Sequence, residues 1–152
     1  MIETDGMIAQ TIQLALAPTF VLVAIGSIMN ILSTRLGRIV DRSRELRRLH
    51  AETQGGEHDD VVREIRTVAL RMLLVQKALR ALVMASLSVG VTVVLLFLAE
   101  FAHWALNSVA AGTFIFAIAL LMWALLLFLR ETRAAAAALQ IPEIFLEKDR
   151  EL

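Results

Sequence analysis

The sequence predicts an all-α, three-pass transmembrane protein with a cytoplasmic antiparallel helical hairpin between its first and second membrane helices. Three observations predict it. Hydrophobic residues make up 58% of the 152-residue chain, more than the half or so expected of an ordinary soluble domain. Asp, Glu, Lys and Arg are absent from residues 6–34, 81–99 and 101–129. Between the first two of these stretches, residues 35–80 are rich in arginine, keep a helical apolar pattern and contain no proline.

A bilayer core about 30 Å thick is crossed by about 20 apolar residues in a helix. Residues 14–33, 81–99 and 107–129 meet that length. Lipid offers the backbone no hydrogen bonds, so each run must be helical. The runs are continuous and do not alternate, which excludes a β-barrel of ten-residue strands. The chain divides accordingly. Residues 1–34 form an outer N-terminus and the first membrane helix, and 35–80 the hairpin, with its tip at 53–58. Residues 81–129 hold the second and third membrane helices around an outer turn at 100–106, and 130–152 form a cytoplasmic helical tail. The acidic start "MIETDG" is unlike the basic start of a cleaved signal peptide.

Basic residues set the orientation. Eleven of them lie in 35–80: Arg35, Arg38, Arg42, Arg44, Arg47, Arg48, Arg63, Arg66, Arg71, Lys77 and Arg80. The other four, Arg130, Arg133, Lys148 and Arg150, lie in the tail. Both segments are therefore placed inside and the N-terminus outside. Trp104 is suited to the outer interface.

The hairpin follows from two apolar stripes. Val61, Val62, Ile65, Val68, Ala69, Met72 and Leu73 recur at helical spacing, as do Leu36, Ile39, Val40 and Leu46 more weakly. Leu36, Ile39, Val40 and Leu46 are expected to pack on Val62, Ile65, Ala69 and Met72. "TQGGEHDD" separates the stripes, with Gly55 or Gly56 fit to end one helix and Asp59 and Asp60 fit to begin the next. About 19 residues per arm would project roughly 28 Å. Asp41 is three residues from Arg38 and Arg44, and Glu45 three from Arg42 and Arg48, which predicts an ion-pair ladder of Asp41, Arg44, Glu45 and Arg48. Arg35, Arg38 and Arg42 share a face. They are either solvated membrane anchors, contacts for anionic lipid headgroups, or the mouth of an ion path. Seven acidic residues in 35–80 and the lack of Phe, Trp or Tyr there argue against nucleic acid.

The run "IQLALAPTFVLVAIGSIMNILSTRLGRIVDRSREL" and the charged helix and two apolar segments after it resemble the DUF2721 family of small bacterial integral membrane proteins. Ala17, Pro18, Phe20, Asn30, Leu36, Arg38, Asp41, Arg42 and Arg44 carry the likeness, which covers most of the chain. The resemblance implies a multi-pass protein of the bacterial cytoplasmic membrane and implies no mechanism.

No P-loop, GxGxxG, GxSxG or HExxH is present, and there is no cysteine. No enzyme, cofactor or metal site is expected. His50 and His58 with Glu57, Asp59 and Asp60 read as an exposed turn. The first membrane helix carries more information. At 100° per residue, Ala15, Thr19, Val23, Gly26, Asn30, Ser33 and Gly37 fall within about 40° of one direction, and Leu14, Val21, Ile25, Ile28 and Leu32 lie opposite. Small residues let membrane helices approach closely. Alternatively, copies of this helix surround an axis, with Thr19, Val23, Gly26, Asn30 and Ser33 lining a pore. Pro18 is expected to bend the helix. Ala81, Ala85, Ser88, Thr92 and Ala99, and Ala110, Thr113, Ala117 and Ala124, form small stripes on the other two. Their lack of charge argues against a proton-coupled transporter. The expected function is a homo-oligomeric ion channel in the lipid bilayer; the alternative is a scaffold or regulatory subunit whose hairpin binds a cytoplasmic protein.

The orientation is directly measurable, because the chain has no cysteine. A Gly55→Cys variant is expected to resist an impermeant thiol reagent in intact cells and to react after lysis. Labelling in intact cells reverses the topology.

Overall fold

The structure is a computed structural model that describes residues 2–102 and 105–138. It consists of α1 (Ile2–Glu52), α2 (Gly56–Ala102) and α3 (Asn107–Ala138). All three are long and apolar enough to cross a membrane. The all-α architecture expected from the sequence is therefore present. His103, Trp104 and the part of the expected helical tail from 139 onward lie outside the described residues.

Each of the first two helices continues unbroken from its apolar part into its charged part. They turn back on each other at Thr53–Gly55. Leu49 O accepts from both Thr53 N–H (2.9 Å) and Thr53 Oγ1 (2.8 Å), closing α1. Gly55 adopts φ +66°, where a side chain would be strained. Its carbonyl then accepts from His58 N–H at 3.1 Å and opens α2. α1 also runs without interruption through Pro18, which is buried.

The seam between α1 and α2 has a seven-residue repeat. Pro18, Ile25, Leu32, Ile39 and Leu46 are buried on α1, and Val68, Val75, Leu82 and Val89 on α2. Seven-residue spacing keeps one seam in contact between supercoiled helices. It runs through the boundary between the apolar and charged halves without a change of register. The hairpin pairing differs at two positions from the stripe read in the sequence, with Val61 in place of Val62 and Val68 in place of Ala69. Val68 is buried and Ala69 exposed, so the α2 side of the contact is Val61, Ile65, Val68 and Met72. The register is fixed by the longer seam, which Val75 and Leu82 continue.

α2 is the central helix. Its other face meets α3 through Ala78, Ala81, Ala85 and Thr92, against Ala110, Ala117, Ala124 and Leu127. The small stripes of α2 and α3 thus pack on each other. Within this contact the hydroxyls of Thr92 and Thr113 lie 2.9 Å apart and hydrogen-bond. Each hydroxyl is also 2.9 Å from a backbone carbonyl of its own helix, Ser88 O for Thr92 and Ala110 O for Thr113, so two O–H donors are shared among three acceptors. No hydroxyl donor is stranded in the apolar interior. α1 and α3 touch only sparingly.

Leu46 is fully buried in the charged half, whereas Leu70 is 52% exposed. Leu46→Ala is expected to destabilise the protein by about 2–5 kcal/mol, and Leu70→Ala by no more than about 0.5 kcal/mol. Denaturant melting of the purified protein in detergent checks this; equal effects would mean that the two arms are not packed.

Candidate functional site

α3 buries Ala110, Ala117 and Ala124 at seven-residue spacing, and the next member of that series is Glu131. Alanine lets α3 lie close to α2. Where the series leaves the apolar segment, the place of an alanine is taken by a carboxylate with 0% exposure. A buried charge needs both a partner and hydrogen bonds. Glu131 has two arginines, each from a different helix. Arg35 of α1 donates from Nη1 to Oε2 at 2.6 Å. Arg71 of α2 donates from Nε to Oε1 at 3.0 Å, with its Nη2 also 3.0 Å from that oxygen.

The surroundings hold Arg35 in place. Its Nη1 also donates to Thr132 Oγ1 at 3.1 Å, and its guanidinium lies 5.2 Å from the centre of the Phe128 ring. Thr132 Oγ1 in turn donates to Phe128 O. Both arginines are partly accessible, 33% for the Arg35 side chain and 25% for Arg71. The cluster therefore has an apolar, helix-packed side and a side open to water, with one positive charge in excess.

Next to it is a second junction. Arg42 donates from Nε and Nη2 to the two carboxylate oxygens of Glu64, at 2.7 and 2.8 Å. This fork-on-fork geometry is the strong form of the arginine–carboxylate contact. The hydrogen bond that Arg42 donates to Glu64 holds its guanidinium above its ordinary range, so it stays charged. Between the two junctions is a groove of about 140 Å³, lined by Arg38, Ile39, Arg42, Glu64, Thr67, Val68 and Arg71.

The sequence-predicted residues fall into three groups. Arg35, Arg38 and Arg42 face α2 and α3: Arg35 holds Glu131, Arg42 holds Glu64, and Arg38 lines the groove. Asp41 is 3.6 Å from Arg44, and Glu45 is 3.3 Å from Arg48, all exposed. Such pairs contribute little, about 0.3–0.5 kcal/mol each. Thr19, Val23, Gly26, Asn30 and Ser33 are all exposed along one side of α1. At the hairpin tip the His50 and His58 rings lie 4.4 Å apart. No three metal-ligating side chains come together among the described residues.

Sequence reading missed Glu131 and, with it, Arg71 and Glu64 as partners. The signal was present. Glu131 is the only acidic residue between Glu100 and Glu143, and it continues the seven-residue alanine series.

The DUF2721 family model, described as a protein of unknown function, matches residues 15–141. The chain belongs to this family. The match takes in both arms of the hairpin, the Glu131 cluster and all three apolar segments. Comparison with curated proteins and with solved structures finds no match.

Removing the shared carboxylate leaves two arginines facing each other at a packed junction. Glu131→Ala is expected to cost about 3 kcal/mol, the low end for a broken buried pair, because both arginines still reach water. Adding Arg35→Met to that variant should cost little more, since its partner is already gone. Fully additive losses in denaturant melts would show that Arg35 and Glu131 are not coupled.

Proposed function

We propose that the protein is a homo-oligomer whose copies meet along the small, polar side of α1, and that this side lines an ion pathway. The observation that carries the reading is the division of α1. On its bulky side Ile25 and Leu32 are fully buried, Val21 and Ile28 are partly buried, and Leu14 is exposed. Its small side, from Thr19 through Gly26 to Ser33, is left exposed, with Val23 at 65%. A Cβ added at Gly26 or Gly37 would meet nothing within 4 Å.

Membrane helices associate through small side chains and polar contacts, since lipid is as apolar as leucine. The exposed side of α1 has that composition, and the chain's own packing does not use it. Some of its polar groups are already satisfied: Thr19 Oγ1 donates to Ala15 O at 2.8 Å, and Thr34 Oγ1 to Asn30 O at 3.0 Å. The Asn30 amide has no hydrogen-bond partner among the described residues, which gives it a reason to face a second copy or water. Three helices enclose no aqueous path by themselves, so conduction needs several copies around an axis. In this reading Thr19, Asn30 and Ser33 form polar rings, Val23 forms an apolar constriction, and the reading assigns no bond-making chemistry.

Two measurements test the two halves of the proposal. Oxidation of Asn30→Cys in membranes is expected to cross-link copies, and Ile31→Cys, exposed on another side, is expected not to. Protein in liposomes should pass ions, with a flux altered by Asn30→Leu. Equal cross-linking of both variants removes α1 as the interface. Specific cross-linking without flux favours the scaffold reading, in which the hairpin presents a binding surface.

A further inference from the structure

The groove beside the Glu131 cluster is a built site with an unused charge. Three arginines line it, and two of them are fixed by acids. Arg42 spends its Nε and Nη2 edge on Glu64, and Arg71 spends the same edge on Glu131. A guanidinium has five N–H donors, so each retains an Nη1 group that these contacts do not use. Arg38 makes no ion pair among the described residues and is exposed. Glu64 balances Arg42 and Glu131 balances Arg71, so Arg38 leaves the lining with one positive charge in excess. Thr67 is in the same wall, its hydroxyl donating to Arg63 O at 3.2 Å.

We propose that this groove binds a phosphate group, with Arg38 as the main ligand and Arg42 and Arg71 as pre-positioned donors. The chemistry fits in three ways. The donors are arginines, whose planar forks match phosphate oxygens. Their orientation is set in advance by the two carboxylates, so little side-chain freedom is lost on binding. A groove of about 140 Å³ holds several water molecules, enough space for one tetrahedral anion. The groove also lies just past the charge-free run of α1, with Arg38 four residues beyond Thr34. A phosphate can reach that level from two sources, an anionic lipid headgroup or the free ion. The inference is independent of whether α1 lines a pore.

The test is binding by the full-length protein in neutral detergent at about 150 mM salt, near physiological screening. The probes are short-chain phosphatidic acid, short-chain phosphatidylcholine and inorganic phosphate. The wild-type protein is expected to bind phosphatidic acid in preference to phosphatidylcholine. Arg38→Gln should weaken that binding about tenfold, the loss of one charge-assisted contact. Arg66→Gln, an exposed arginine outside the groove, should change it less than twofold. Displacement of the lipid by inorganic phosphate assigns the phosphate group alone as the ligand; resistance to displacement assigns the lipid headgroup. Equal losses in the two variants, equal binding of the two lipids, or no binding of either phosphatidic acid or inorganic phosphate overturns the site. Neither arginine is in a packed contact, so both variants are expected to melt like the wild type, and the comparison does not depend on stability.

Discussion

Glu131 is held by Arg35 and Arg71, and this shared carboxylate is the point where all three helices are joined. Elsewhere α1 packs on α2, α2 packs on α3, and α1 and α3 scarcely touch. The carboxylate is fully buried and the arginines are partly open to water, so the interaction is neither a surface pair nor a wholly desolvated one. Such a pair contributes modestly as a whole and is costly to break from one side. It also fixes geometry. Two arginines on different helices converge on opposite oxygens of one group, which sets how α3 is rotated and how far it extends.

The continuous seam gives that junction its reach. Buried positions recur every seven residues from Pro18 to Leu46 on α1 and from Val68 to Val89 on α2. The same contact is driven differently at its two ends. In the apolar half, packing among branched side chains such as Ile25, Leu32, Val75 and Leu82 holds the helices. In the charged half, burial of Leu46 and Val68 removes apolar area from water. The register does not change at the transition from one half to the other. The Glu131 cluster and the phosphate groove both lie at that transition. Occupation of the groove therefore acts beside the residues that tie α3 to the other two helices.

The sides of the molecule differ in how complete they are. The α2–α3 contact uses its small residues fully, and Thr92 finds Thr113. The small side of α1 has no such use within the chain. Leaving glycines and an asparagine on an unpacked side of a membrane helix is poor packing for a single copy and good packing for several, which is why the functional reading rests on that side.

The sequence by itself determined the class of this protein. Charge-free runs of sufficient length require membrane-crossing helices, because unsatisfied backbone groups are not tolerated in lipid. The glycine turn, the two apolar stripes and the small stripes of α2 and α3 were also legible, since each is a local periodic pattern. So was family membership, from the run around Pro18, Asn30 and Asp41. Only the tertiary structure decided which charges meet. Along the chain, the carboxylates nearest Arg42 are Asp41 and Glu45, and Arg35 has none within five residues. In space, Arg42 meets Glu64 and Arg35 meets Glu131, 96 residues away. Spacing along a helix ranks only local partners, whereas a long arginine takes the partner that packing buries beside it. The same packing decided which side of α1 is left exposed, because that depends on where α2 lies and not on the composition of α1.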